Sequence, residues 1–383
     1  MKRKIAVTTG SRAEYGILRP VIEKIKNSNK LELCLIVSGM HLSTKFGKTI
    51  NEIKHDGFKI LSTVEMIPTN DSPFDSAINL GNGIISFSKI FKKIKPDINL
   101  ILGDRDEMLA SALAASHMNI PNAHIHGGDK SKGTIDEYNR HAITKISNIH
   151  FAASKTSKNR IIKMGENENN VFLTGSPSLD EVISQRITSK NELIEKYNLK
   201  PLNNYILLVH HPITSNPSQS EKEITNILMA IKKLSKPVLA IAPNSDYGHK
   251  KILKVINEFS KKYESIFTYK SLPRSDYLCL LQNCAVIIGN SSSGIIEGSF
   301  FNTPVINIGI RQMNREMSKS VKNLENPSVS SIEYYLKNSF KKKKSLLTSK
   351  SLVYGDGNAS KKIVNILEKI KINNQLLQKQ ISY

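Results

Sequence analysis

The chain has 383 residues, a formal net charge of +22 and 39% hydrophobic residues. This length is too great for one compact core, so we expect two domains. The excess charge comes mainly from scattered lysines, and its densest run, at 341–344, lies in a polar connecting stretch. We interpret this charge as solvated surface and expect no nucleic-acid partner.

The three cysteines, Cys34, Cys279 and Cys284, have no CxxC spacing. They indicate neither a disulfide framework nor a zinc site. The first apolar run ends at Val7, which is too short for a signal peptide, and no run has the length of a membrane span. We therefore expect a soluble, cytoplasmic protein with no membrane partner.

Short apolar runs alternate with helical patterns along the chain. Strands are predicted at 4–8, 31–37, 98–102, 122–125, 171–173, 205–209, 238–242, 266–269, 285–288 and 305–308. Helices are predicted at 15–26, 106–118, 224–234, 250–259 and 363–370. Continuous apolar strands separated by helices are typical of parallel sheets covered on both faces. The predicted fold class is α/β, with doubly wound, Rossmann-like domains.

The alternation breaks near 175–177, where two helical stretches precede a new strand series beginning at 205. We predict domains at 1–180 and 181–362, with the active site in the cleft between them, and a C-terminal helix within 363–383 that Asn358 precedes as a plausible N-cap. The turn after the first strand reads Thr8-Thr9-Gly10-Ser11-Arg12. Because it lacks the GxGxxG motif, no dinucleotide cofactor is expected. No Walker A motif is present either.

The segment 289–294 reads Gly-Asn-Ser-Ser-Ser-Gly and joins a predicted strand to a helix. Its free backbone N–H groups and the helix dipole favour a diphosphate. Ser291 and Ser292 add hydroxyl donors, and Glu297, one turn on, could accept from both ribose hydroxyls. An ordinary N-cap serine with a surface glutamate is an equally good interpretation of this motif alone.

Arg12, Asp104 and Arg105 follow the first and third predicted strands directly. The Arg12 guanidinium suits a phosphate, although it could be an exposed turn residue. Asp104 could be a base or orient one, with Arg105 beside it binding phosphate or keeping it ionised. Alternatively, Asp104 only caps the helix that begins near Asp106.

His124, His126 and Asp129 lie within six residues, with Gly127-Gly128 between them. On an extended segment the two histidines share one face, and the glycines allow close approach of a ligand. Proton transfer is favoured over a metal site because no further ligands appear at typical spacing, so no metal is predicted. Core or capping histidines remain the alternative.

Asp136 and Arg140 are four residues apart and share a helix face, as a surface ion pair or as a carboxylate poised by Arg140. His211 follows the first strand of the second predicted domain, before Pro212. It could bind phosphate or protonate a leaving group. A turn histidine before proline is the alternative.

Taken in order, these motifs resemble the hydrolysing UDP-N-acetylglucosamine 2-epimerases of sialic-acid and legionaminic-acid pathways. The resemblance spans nearly the whole chain. It is carried by the segments 10–16 (GSRAEYG), 102–105 (LGDR), 124–128 (HIHGG), 140–145 (RHAITK), 211–212 (HP), 289–294 (GNSSSG), 306–309 (INIG) and 311–312 (RQ).

The resemblance implies a fold of the glycosyltransferase-B type, with the C-terminal helix crossing back to the first domain. It also implies a homodimer or homotetramer. The implied reaction removes the C2 proton and expels the nucleoside diphosphate to give a glycal, to which water adds with inverted C2. For UDP-N-acetylglucosamine the products are N-acetylmannosamine and UDP, and no metal or redox cofactor is needed.

By similarity, Asp104 and Asp136 transfer protons and His211 assists the diphosphate. Asp129 stands where relatives with histidine at 126 usually carry glutamate, so its carboxylate either acts at a shorter reach or is not the base. The remaining residues implied in substrate or nucleotide binding are Arg12, Arg105, His124, His126, Arg140, Asn244, Ser291, Ser292, Gly294, Glu297 and Arg311.

The predicted function is therefore a hydrolysing 2-epimerase acting on UDP-N-acetylglucosamine. One alternative is a hydrolysing epimerase for GDP-N,N'-diacetylbacillosamine, since the motifs do not distinguish uracil from guanine. Others are a non-hydrolysing epimerase or a glycosyltransferase of the same fold. A non-catalytic nucleotide-binding or nucleic-acid-binding protein is the alternative from a different class.

Overall fold

The computed structural model of the protein describes residues 2–70, 72–132, 135–184, 188–197, 204–244, 246–341 and 353–382. It divides into two units. Unit 1 comprises Met1–Asp129, Asp136–Ile183 and Tyr354–Tyr383, and unit 2 comprises Lys130–Ile135 and Ser184–Val353. The domain boundaries predicted at 1–180, 181–362 and 363–383, and the cleft between the domains, stay predictions. The polar connecting stretch predicted around the lysine run at 341–344 lies, beyond Lys341, outside the described residues.

Unit 1 contains a parallel seven-stranded sheet in the order β3-β2-β1-β4-β5-β6-β7. Its strands are β1 Arg3–Thr9, β2 Leu31–Ser38, β3 Ile60–Val64, β4 Ile98–Leu102, β5 Asn122–Ile125, β6 Ile149–Ala152 and β7 Val171–Leu173. Its helices are α1 Arg12–Lys26, α2 Ile50–His55, α3 Pro73–Ile94, α4 Asp106–His117, α5 Ile135–Ile146, α6 Lys155–Lys163 and α7 Pro177–Ser184. The strand order reverses between β1 and β4.

Unit 2 contains a parallel six-stranded sheet in the order β10-β9-β8-β11-β12-β13. Its strands are β8 Ile206–Val209, β9 Val238–Ile241, β10 Ile266–Tyr269, β11 Val286–Gly289, β12 Val305–Ile308 and β13 Val321–Leu324. Its helices are α8 Lys190–Tyr197, α9 Pro217–Lys232, α10 His249–Lys262, α11 Arg274–Asn283, a π-helical turn Gly294–Gly298 and α12 Val329–Lys341. Here the strand order reverses between β8 and β11.

The chain ends with α13 Ala359–Lys369 and α14 Asn374–Leu377, both within unit 1. Val364, Leu367 and Leu376 join the core that β1, β2 and α1 form. Asn358 precedes α13 as predicted, but its side chain makes no capping bond. The Asp180 carboxylate caps the helix instead, because it accepts from the backbone N–H groups of Ala359 and Ser360 at 2.9 and 2.5 Å.

The predicted fold class is confirmed: two α/β units, each with a doubly wound parallel sheet. The ten predicted strands are present with ends shifted by at most two residues. Three strands were not predicted, namely β3, β6 and β13. β3 and β13 are edge strands with exposed polar positions, and β6 carries His150, which is buried beside Glu166 at 3.1 Å. In each of the three, polar residues interrupt the apolar run.

Candidate active site

In unit 1, the turns after β1 and β4 meet where the strand order reverses. Ligands of open parallel sheets bind at the carboxyl ends of the strands around such a point. Gly10 to Arg12 follow β1, and Gly103 to Arg105 follow β4. Gly103 has φ +77°, a left-handed conformation that glycine adopts without strain, and its N–H donates to the Ile125 carbonyl at 3.0 Å. This bond ties the Asp104 turn to the end of β5.

Two buried carboxylates, Glu14 and Glu107, lie under the turn after β1. Arg105 donates from Nε to Glu107 Oε2 at 3.2 Å, and its Nε lies 3.9 Å from Glu14 Oε2. A side chain at Gly10 would collide with both carboxylates, which explains the glycine. Burial raises the pKa of Glu14 from 4.5 to about 7, and the Glu107 charge adds to this while Arg105 opposes it. Neither glutamate was predicted as a site residue, although Ser11 and Glu14 have the spacing of a capping box.

Asp104 is ion-paired with the buried Arg140. Arg140 also binds Glu137 at 3.0 Å and the Asp129 carbonyl at 3.3 Å. Two expectations are thereby wrong: Arg105 does not pair with Asp104, and Asp104 does not cap α4, whose N-cap is Arg105. Asp104 is thus a partly accessible carboxylate that pairs with a cation at the carboxyl end of β4.

Asp136 lies in the first turn of α5 and is buried, one turn before Arg140. The contacts described above direct the Arg140 guanidinium to Asp104 and Glu137. The prediction that Arg140 poises Asp136 stays a prediction. Arg12, predicted to meet a phosphate, forms an ion pair with Glu52 at 2.5 Å from Nε.

His124 is a buried anchor for the Asp104 turn. Its Nε2 lies 2.7 Å from the Gly103 carbonyl, and its Nδ1 lies 3.2 Å from Thr144 Oγ1. Burial lowers the pKa of His124 to about 3, so the ring is neutral and Nε2–H is the donor to the carbonyl. Both ring nitrogens have protein partners, so His124 supports the turn that carries Asp104, and its predicted contact with substrate stays a prediction.

His126, with φ +64°, leaves the extended conformation that was predicted to place it on one face with His124. Its Nδ1 lies 3.0 Å from Asp129 Oδ2, and its Nε2 lies 2.9 Å from Ser176 Oγ. Asp129 also accepts from Ser157 Oγ at 2.7 Å. The result is a buried Ser-His-Asp-Ser network that fixes the His126 ring.

The two glycines after His126 are needed for packing. A Cβ at Gly127 would lie 2.8 Å from His124 Nδ1, and one at Gly128 would lie 2.5 Å from the Ser157 carbonyl. The close approach of a ligand to this part of the backbone stays a prediction. Among the residues that the structure describes, no three His, Cys, Asp or Glu side chains are grouped to hold a metal ion.

In unit 2, the turns after β8 and β11 meet at the corresponding reversal. Asn290 is fully buried and accepts from the His211 backbone N–H at 2.7 Å, while its Nδ2 donates to the His211 carbonyl at 2.9 Å. The Asn290 carbonyl in turn accepts from Gln312 Nε2 at 3.0 Å and from Arg311 Nη1 at 3.4 Å. Asn290 thus links its own segment to the two other predicted segments, which contain His211 and Arg311.

The His211 ring has a defined tautomer. Its Nδ1 accepts the backbone N–H of Asn244 at 3.2 Å, so in the neutral ring the proton is on Nε2. His211 can therefore act as a donor towards an anion. The Asn244 side chain, which was predicted among the substrate- or nucleotide-binding residues, donates from Nδ2 to Asp246.

The serine turn after β11 is held by α11. Ser291 Oγ lies 2.9 Å from Ser293 Oγ, and Ser293 Oγ also bonds the Tyr277 hydroxyl. Ser292 is half-buried. Gly294 begins the π-helical turn, and a Cβ there would lie 3.1 Å from Val305 Cγ1, so this glycine lets the turn pack on β12.

Glu297 lies in the π-helical turn, is buried, and forms an ion pair with Arg274 at the start of α11. This excludes the interpretation of Glu297 as an ordinary surface residue. Arg274 was not predicted, because nothing in the sequence connects two residues 23 positions apart.

A second unpredicted pair lies behind His211. His210 and Glu223 are both buried, with Nε2 and Oε2 3.3 Å apart. Gly309, after β12, has φ +75°, and a Cβ there would lie 2.5 Å from Glu223 Oε1. The pair therefore braces the turns that carry His211 and Arg311.

None of the described helices is both long and apolar enough to cross a membrane.

Comparison with known proteins gives one consistent family. The model of the family described as UDP-N-acetylglucosamine 2-epimerase matches residues 23–368. The UDP-N,N'-diacetylbacillosamine 2-epimerase (hydrolyzing) of Legionella pneumophila is 37% identical over 383 residues, which is 100% of both chains. The polysialic acid biosynthesis protein P7 of Escherichia coli is 36% identical over 322 residues, covering 83% of this chain and 82% of that protein.

Solved structures agree on the fold. The UDP-GlcNAc 2-epimerase of Methanocaldococcus jannaschii, in complex with UDP-GlcNAc and UDP, has a TM-score of 0.82 at 24% identity and covers 95% of this chain and 99% of its own. The Neisseria meningitidis enzyme bound to UDP-GlcNAc has a TM-score of 0.79 at 20% identity, covering 96% and 100%. The resemblance predicted from the sequence motifs is confirmed, and the chain belongs to the UDP-N-acetylglucosamine 2-epimerase family.

Proposed function

We propose that this protein is a hydrolysing nucleotide-sugar 2-epimerase that converts a UDP-linked 2-acetamido sugar into the free 2-epimer and UDP. The observation that carries the proposal is the similarity over all 383 residues to a hydrolysing 2-epimerase. The groups that the reaction requires are present at the two reversal points of the strand order: a carboxylate after β4 and a histidine donor after β8.

Asp104 is our first candidate for the base at C2. Arg140 keeps its carboxylate ionised, and about a fifth of the Asp104 side chain remains accessible. A base in this reaction must be charged before it meets the substrate, and an adjacent cation ensures this. Elimination breaks the C2–H bond and the C1–O bond, and forms the C1=C2 double bond of a glycal. The C2 proton goes to the carboxylate, and the electron pair of the C1–O bond leaves on the diphosphate.

Inversion at C2 requires that a proton return from the opposite face, so a second acid is needed. Asp136 is our candidate for this acid, because it is the buried carboxylate in the first turn of α5. We assign Asp129 a positioning role, because both of its oxygens hold neighbours and one of them holds the His126 ring. Water supplies the hydroxyl at C1, so the net reaction is hydrolysis with epimerisation.

His211 is our candidate for assisting the leaving diphosphate, since its Nδ1 accepts the Asn244 N–H and its proton is therefore on Nε2, which can donate. Ser291, Ser292 and the N–H groups of the turn after β11 would bind the diphosphate. Glu297 would accept from the ribose hydroxyls, and Arg311 would add a positive charge nearby.

Two sugars are candidates. The sequence motifs favour N-acetylglucosamine, whereas the full-length relative is named for the UDP-linked diacetylated sugar N,N'-diacetylbacillosamine. A Campylobacter jejuni relative, 34% identical over 322 residues, is named for GDP and UDP forms of the latter. We also expect a cytoplasmic homodimer or homotetramer, which sedimentation velocity would test.

A substrate panel in deuterated water tests the function. UDP-N-acetylglucosamine and the UDP and GDP forms of N,N'-diacetylbacillosamine are each incubated with the protein, and nucleotide release and sugar labelling are followed. The proposal expects free sugar, inverted at C2 and carrying one deuterium there. A sugar that stays on the nucleotide, or one transferred to an acceptor without C2 label, would contradict it.

A further inference from the structure

Arg274 occupies a position that is unfavourable for a cation unless a partner fixes it. It is the first residue of α11, where the positive end of the helix dipole repels a guanidinium. Its side chain is nevertheless only 12% exposed, and its Nη2 pairs with the carboxylate of Glu297. The ion pair with Glu297 therefore stabilises the arginine at this position.

Glu297 depends on Arg274 in the same way. Glu297 is 2% exposed, and a buried carboxylate without a cation is strongly disfavoured. Arg274 supplies that cation and fixes one oxygen of Glu297, here Oε1. Removing the arginine would leave the glutamate free to change its rotamer.

A second contact, one turn along α11, supports the same turn. The Tyr277 hydroxyl bonds Ser293 Oγ, which in turn bonds Ser291 Oγ. Burial raises the pKa of Tyr277, so its phenol remains protonated and available for this bond. Helix α11 therefore positions both the serine turn and Glu297.

One polar group of this arrangement has no protein partner. Among the described residues, Arg274 Nε is buried and makes no hydrogen bond. A buried donor left unsatisfied is costly, and a ligand acceptor beside it would remove that cost.

We propose that Arg274 is a positioning residue for ribose recognition: it holds the Glu297 carboxylate as an acceptor for the ribose hydroxyls and offers Nε–H to an acceptor on the nucleoside. This inference rests on the proposed function, within which Glu297 meets the ribose. It makes Arg274 responsible for discrimination between ribonucleotides and 2'-deoxyribonucleotides, and gives it no part in the chemistry at C1 and C2.

The test compares UDP with 2'-deoxy-UDP by titration calorimetry, on the full-length protein and three variants. The wild type should bind UDP about ten- to a hundredfold more tightly, the value of a hydrogen bond to a charged group. In Arg274→Met, UDP binding should weaken at least about tenfold, and the preference for UDP should fall to about threefold or less. Arg274→Lys keeps the charge without the guanidinium geometry and should be intermediate.

Lys196→Met is the matched control. Lys196 of α8 pairs at 2.7 Å with Asp276, which lies on α11 beside Arg274, and this pair does not include Glu297. The Lys196→Met variant should bind both nucleotides as the wild type does. For Arg274→Met the kcat with the best substrate should stay within about threefold of wild type while KM rises.

Wild-type binding in Arg274→Met, or weakening by one common factor for both nucleotides, would overturn the inference. If Arg274→Met does not fold, the Lys variant decides, because an unchanged preference for UDP there contradicts the role assigned to the guanidinium. A wild type that turns over no sugar nucleotide but still prefers UDP over 2'-deoxy-UDP would refute the proposed function alone.

Discussion

Asp104 pairs with Arg140, 36 residues further along the chain, and not with its neighbour Arg105. Arg105 turns to Glu107 and Glu14 instead. The same edge of the sheet in unit 1 therefore carries two separate charge clusters. The first pairs a carboxylate with a cation, whereas in the second burial raises the pKa of Glu14 to about 7.

Asp104→Asn should lower kcat by about 10²- to 10⁴-fold, because the amide cannot accept the C2 proton. UDP affinity, measured by calorimetry, should remain within about threefold of wild type. Asp356→Asn, a change in an exposed ion pair with Lys362 in the same unit, is the control and should keep full activity. An Asp104→Asn protein retaining more than a tenth of wild-type kcat would remove Asp104 as the base.

Arg140→Met should impair the same step and also destabilise the fold. Removing one partner of a fully buried pair costs about 3–5 kcal/mol, and here the loss should be about 2 kcal/mol because Asp104 and Glu137 are partly exposed. Urea unfolding measures this. Without the cation, the acid limb of the pH–rate profile should move to higher pH; an unmoved limb would show that Arg140 does not tune the base.

Glu14→Gln should remove a pH dependence of stability. The folded pKa of Glu14, about 7, lies above its ordinary value of 4.5, so the native state binds the proton more tightly than the unfolded chain. Stability from this group is complete below pH 4.5 and is lost as the pH rises to about 7. The wild type should therefore lose roughly 3 kcal/mol over that interval from Glu14 alone.

The glutamine variant mimics the protonated side chain, so it should have a higher Tm than wild type at pH 8 and no advantage at pH 4. Glu23→Gln, at an exposed position of the same helix, should behave as the wild type at both pH values. A Glu14→Gln protein that is less stable than wild type at pH 8 would mean that Glu14 is ionised in the native state.

His211→Gln should lower kcat by about 10²- to 10³-fold while leaving UDP binding nearly intact, because the loss falls on the departing diphosphate. His117→Gln, at an exposed site in unit 1, serves as the control. Equal proportional losses in UDP affinity and in kcat/KM would assign His211 to binding alone.

The sequence predicted the positions of Asp104, His211 and the serine turn because each directly follows an apolar strand. Parallel strands bring such residues to one edge whatever the side chains do. It could not predict their partners. Arg140 and Arg274 each reach a carboxylate through the packing of separate elements, and no periodicity within one helix or strand records that contact.

Local spacing indicated only part of the contacts. Asp136 and Arg140 have the spacing of a helical ion pair, and Arg140 also pairs with Asp104, which follows another strand. At Gly127 and Gly128, the space that a side chain would need is filled by His124, Thr144, Ser157 and Ile161. Short motifs indicated where the chemistry lies, whereas burial and cross-element contacts decide which group does what.

The most direct test of hydrolysing epimerisation is proton NMR of the sugar released in deuterated water. The account predicts free UDP together with a sugar of inverted C2 configuration, deuterated at C2 in the first turnover. Release of UDP with the C2 proton retained, or epimerisation with the sugar still attached to the nucleotide, would contradict it.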